Sequence, residues 1–128
     1  MMLCLCQGGA EHFVRRSRGV KDLDVWAFLA EHPARPFPYR RRGVQDFGPS
    51  RFGRHPNDIG FQGQCVDIIG RSIRRDPDQS PTASVLEWLR SGKTESAKLI
   101  SQRPVIVIHP ESDRGRVIWD PNVAGNPI

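Results

Sequence analysis

Two glycines followed at a fixed distance by a pair of carboxylates constrain this chain more than any other feature. Gly8-Gly9 is followed, after a twelve-residue gap, by Asp22-Leu23-Asp24-Val25-Trp26. Carboxylates at i and i+2 among apolar residues fit a strand, where side chains alternate, so Asp22 and Asp24 point to one face. A third acid, Asp67, sits in the apolar run Cys65-Val66-Asp67-Ile68-Ile69 and joins the pair if the two strands associate. Three converging carboxylates repel one another, and buried negative charge is costly unless a cation compensates it. Divalent metal ions held by oxygen ligands resolve that cost. The alternative leaves Asp22 as a turn residue and Asp24 facing solvent.

The Gly-Gly turn, the Asp-x-Asp strand and a later strand-borne carboxylate together resemble the DNA polymerase β-like nucleotidyltransferase superfamily, over roughly residues 3 to 70. The resemblance implies transfer of a nucleoside monophosphate from an NTP to a hydroxyl, with release of pyrophosphate. In it, Asp22 and Asp24 bind two Mg2+ ions, Asp67 holds the ion that activates the acceptor, and Gly8-Gly9 cradle the β- and γ-phosphates. Lys21 stands beside the carboxylate pair as a candidate phosphate contact. Family members often carry Ser at the position of Gly9, and its hydroxyl helps hold the phosphate; here that group is absent. The acceptor can be a small molecule, a nucleic acid or a protein.

At 128 residues the chain is expected to be a single domain over 1–128, with acceptor recognition left to loops or a partner. The expected fold is α/β (α+β): a small mixed sheet from residues 3 to 7, 22 to 29, 64 to 70 and 104 to 109. Its helices pack on one side and its carboxylates lie on the other. The first strand begins almost at residue 1, where the family usually has a preceding helix. Either the true start lies upstream, or the exposed N-terminal edge is covered by a helical partner or a second copy of the chain.

Residues 33 to 64, rich in Pro, Gly and Arg, read as a long loop, and such loops in compact domains are usually functional or disordered. Here Arg35, Arg40, Arg41, Arg42, Arg51 and Arg54 gather with Asp46 as the only acid among them, and they supply much of the net charge of +5. A patch of this kind attracts phosphate or nucleic acid. Arg40, Arg41 and Arg42 are therefore candidate nucleotide-binding residues, with Phe37 and Tyr39 available for stacking. A solvated loop accounts for the same composition.

Ser80-Pro81 marks a helix start, with Val85, Leu86, Trp88 and Leu89 on one face and Gly92 ending it. Thr94-Glu95 begins a second helix. Val105 to Ile108 reads as a strand buried on both faces. Arg116 to Trp119 reads as an edge strand pairing with it, and the tail 120–128 as loose.

Cys4, Cys6 and Cys65 lie in apolar runs without disulfide or zinc spacing, which predicts reduced, buried thiols in a cytoplasmic protein. No segment has the length of a membrane span. The four histidines have neither metal spacing nor a nucleophile partner, and Asp46-Phe47-Gly48 lacks every other kinase element.

Two further function classes remain open. One is a catalytically silent nucleotidyltransferase-fold protein acting as a binding or antitoxin-like partner. The other is a nucleic-acid-binding module built on the arginine segment.

Overall fold

The computed structural model describes residues 1–16, 22–31, 39–43 and 65–123. Its fold is α+β, with a mixed sheet and helices. The strands are β1 (Met2–Cys6), β2 (Asp22–Ala30), β3 (Tyr39–Gly43), β4 (Cys65–Ile73), β5 (Val105–His109) and β6 (Val117–Trp119). They stand in the order β3-β4-β2-β1-β5-β6. Only β2 and β4 pair in parallel; the other neighbours are antiparallel. The helices are α1 (Gln7–Arg15), α2 (Pro81–Ser91) and α3 (Glu95–Ile100).

Period-two burial builds the core. Met2, Cys4 and Cys6 of β1 are all buried while Leu3 and Leu5 between them are half-buried. On β2 the same alternation buries Trp26 and Phe28, and on β4 it places Ile69 and Ile73 alongside. Helix α2 lays Val85, Leu86 and Leu89 onto this face, and Ile100 of α3, Val105, Val107, Ile118 and Trp119 complete the cluster. Burial of such side chains contributes about 1.5–3 kcal/mol each. Ile106 is buried as well, as expected for a strand enclosed on both faces.

The helix signals in the sequence act as the chemistry requires. Ser80 Oγ accepts a hydrogen bond from the Ala83 amide at 3.1 Å, and Thr94 Oγ1 accepts one from Ala97 at 3.1 Å. Gly92 closes α2 with φ +57°, a left-handed conformation that glycine adopts without a Cβ clash.

Several expectations are corrected. Gly8-Gly9 does not form a turn: both glycines lie inside α1, and the left-handed backbone conformation falls on Gln7, with φ +58°. Residues 39–43 are not loop but edge strand β3, because β4 extends an antiparallel partner to them. The rest of the segment 33–64 is outside the described residues, apart from the extended range of β3 itself. Strand β4 runs through Gly70 to Ile73, since Ile73 has a core position to fill. Strand β1 is no edge: it lies between β2 and β5, which removes the expected site for a partner covering the N-terminal edge. Asp120, assigned to a loose tail, is 6% exposed and fixed by Arg15, whose Nη2 donates to Asp120 Oδ1 and Oδ2 at 2.7 and 3.0 Å.

Candidate functional site

Where β1 ends, the register of the sheet brings four of the singled-out positions into one row. Cys6 of β1 pairs with Asp24 of β2, Asp24 with Asp67 of β4, and Asp67 with Arg42 of β3. Neighbouring strands are about 4.8 Å apart, and register partners share a face. Asp24 and Asp67 thus stand side by side on adjacent strands. Asp22, two residues earlier on β2, pairs with Cys65.

The face they occupy differs from expectation. Asp24 alternates with Trp26 and Phe28, whose rings lie 6.2 Å apart and contact Trp88 of α2 at 6.3 and 5.2 Å. The carboxylates are therefore on the helix-bearing face, not the opposite one. The reason is the continuity of the alternation: one strand cannot turn Asp24 away from a face that accepts Trp26 without a bulge, and the β2–β4 register is unbroken over nine pairs.

Asp67 is 3% exposed and Asp24 half-buried. Both carboxylates are engaged by polar or charged neighbours. Among the described residues, no three His, Cys, Asp or Glu side chains cluster closely enough to hold a metal ion. The side chain of Asp22 is outside that description, as are those of Arg40, Arg41 and Arg42, and Lys21 is wholly outside it.

Helix α1 starts at this same row, because Cys6 is both the register partner of Asp24 and the N-cap of α1. Gly8 in the first turn is exposed, and a Cβ built on it would meet nothing within 4 Å. The N-terminus of this nine-residue helix, with its positive dipole end, therefore follows directly on the row that holds the carboxylates. Gly9 is buried.

The thiol of Cys6 is pushed up in pKa, first by burial and then by the negative charges of Cys4 and Asp24. That of Cys4 is raised to about 12 by burial. Both thiols are free and buried, and burial disfavours the thiolate that nucleophilic attack requires.

A second concave region, which no sequence motif marks, lies between the C-terminal end of β4 and α2. It is lined by Arg71, Ser72, Ser84 and Trp88 among others. Its polar members are dispersed through the chain without a motif, so no local signal in the sequence marks them.

No family model matches this chain, and no curated protein or solved structure matches it either. Among the described residues, no helix is long and apolar enough to cross a membrane.

Proposed function

We propose that the chain is a nucleotidyltransferase-like protein that transfers a nucleoside monophosphate from an NTP to a hydroxyl acceptor. The observation carrying this reading is the register row: Asp24 beside Asp67 on neighbouring strands, with α1 starting from Cys6 in the same row. Carboxylate oxygens are hard donors, and two strands presenting them together suit Mg2+ better than any softer metal. Asp22 and Asp24 would hold two such ions and Asp67 the one nearer the acceptor. When bound, the metal supplies charge neutralisation at the attacking and leaving oxygens of an in-line displacement.

The chain's own groups supply position. The first-turn amides of α1, approached over Gly8, bind phosphate oxygens through oriented N–H groups. Asp67, buried on β4 between β2 and β3, would orient the acceptor hydroxyl and take up its proton. Arg42, in register with Asp67, brings positive charge to the same level of the sheet. Cytoplasmic location belongs to the same proposal.

A second reading, nucleic-acid binding without catalysis, is favoured by the position of Arg40, Arg41 and Arg42 on an edge strand. Pyrophosphate release separates the two. The protein is incubated with MgCl2 and each of the four NTPs, with and without RNA, and compared with Asp24→Asn. Release that disappears in the variant supports nucleotidyl transfer. RNA binding that persists in EDTA, with no release under any condition, supports the second reading.

A further inference from the structure

The parallel pair β2 and β4 has a second end. Asp24 and Asp67 stand near its N-terminal end, whereas Arg71, Ser72 and Ile73 close β4 and Glu31 follows β2. Here β4 and α2 border a cleft of about 290 Å³. Its deeper wall is formed by Arg71, Ser72, Ile73, Ser84 and Trp88, while Arg74 and Lys93 stand exposed at the rim with Glu31 and Glu87.

Two polar atoms on that wall lack a hydrogen-bond partner, Ser84 Oγ and Arg71 Nε; Ser72, between Arg71 and Ile73 in an unbroken strand register, turns its side chain to the opposite face of the sheet. Ser84 is 3% exposed, so its hydroxyl is not satisfied by an open surface. Buried donors without partners cost stability, and chains retain them where a ligand supplies the missing acceptor. Arg71 is held in place, its guanidinium carbon 6.0 Å from the centroid of the Trp88 ring. Trp88 is in turn fixed by Phe28 and Trp26. The wall carries one charge, the cation of Arg71; the acids stand at the rim.

We propose that this cleft binds the phosphate group of a small phosphomonoester. A guanidinium fork from a strand and a buried hydroxyl from a helix suit the tetrahedral oxyanion of a phosphomonoester, with its three terminal oxygens, better than a planar carboxylate with two. At the rim Arg74 and Lys93 are balanced by Glu31 and Glu87, so the net positive charge of the lining is that of Arg71. The cleft exceeds the size of inorganic phosphate, leaving space beside Trp88 for the organic part of the ligand. No metal is required, which separates this site from the nucleotide reading of the carboxylate row.

The test uses the whole chain in EDTA, titrated with phenyl phosphate, inorganic phosphate and benzoate. Binding is followed by calorimetry and by the Arg71 Nε–Hε resonance in NMR. Phenyl phosphate is expected to bind and to move that resonance, inorganic phosphate to bind more weakly, and benzoate least. Arg71→Gln and Ser84→Ala should each weaken phenyl phosphate at least tenfold, whereas Arg90→Gln and Asp24→Asn should leave it unchanged. Ser84→Ala, a small change, keeps the test valid if Arg71→Gln fails to fold. The proposal is overturned by absence of binding in EDTA, by equal affinity in Ser84→Ala, by benzoate matching phenyl phosphate, or by loss of binding in Asp24→Asn.

Discussion

Asp24 and Asp67 are register partners on the one parallel strand pair among the described strands, so two carboxylates share a single level of the sheet. If the row holds a metal as proposed, the cation binds the folded state alone and stabilises it by mass action. Magnesium chloride should therefore raise the melting temperature of the wild-type chain above that in sodium chloride of equal ionic strength. In Asp24→Asn the magnesium-specific rise should vanish while the circular dichroism spectrum is kept. A rise of equal size in the variant would remove Asp24 from the metal site.

Gly8 separates stability from ligand contact. Its missing Cβ faces open space within a helix, so Gly8→Ala meets no clash and should stabilise the fold by up to about 1 kcal/mol through helix propensity. If a triphosphate approaches over this residue, the same methyl group should weaken NTP binding severalfold. Chemical denaturation and nucleotide titration on the one variant read both effects. Stabilisation without loss of affinity would place the phosphates elsewhere.

What the sequence disclosed follows from how local each signal is. Ser80-Pro81 and Gly92 bound α2 because capping is decided within four residues, and Asp22-x-Asp24 lies on a strand because alternation is a nearest-neighbour property. The face that Asp24 occupies was not legible. It depends on Trp26 and Phe28 being claimed by Trp88, a contact made across about sixty residues of chain. Likewise Tyr39 to Gly43 reads as loop because Pro, Gly and Arg flank it, and only the extended edge of β4 turns it into a strand. The cleft at Arg71 and Ser84 was invisible for the same reason: its members share no motif and meet only once α2 has packed.

Cys4 and Cys6 make a prediction about alkaline pH. Burial raises both thiols above their ordinary value of 9.0, Cys4 to about 12, so each neutral thiol favours the folded state. That contribution is fully present below about pH 9 and is lost as pH rises towards about 12, because the unfolded thiols ionise first. The unfolding free energy should fall across this window, and fall less steeply in Cys4→Ala. At pH 8 neither thiol should react with an aromatic disulfide reagent until denaturant is added. Rapid labelling of Cys4 or Cys6 in the native protein, located by mass spectrometry, would contradict their burial.

Arg40, Arg41 and Arg42 form the middle of an edge strand, so their replacement touches both electrostatics and sheet. The triple change to Ala should reduce affinity for the anionic ligand and flatten its salt dependence, because fewer counterions are released on binding. The sheet retains β3's backbone pairing, so stability should fall only modestly. An unchanged salt slope would mean that these arginines do not meet the ligand.

The most direct test of the central claim is calorimetric titration of the wild-type chain with each NTP in magnesium, repeated in EDTA and with Asp24→Asn and Asp67→Asn. The carboxylate row predicts binding of at least one NTP that needs magnesium, falls at least tenfold in either variant, and survives Arg71→Gln. NTP binding that is indifferent to magnesium and to both aspartates, or no binding of any NTP by the folded wild type, would contradict it.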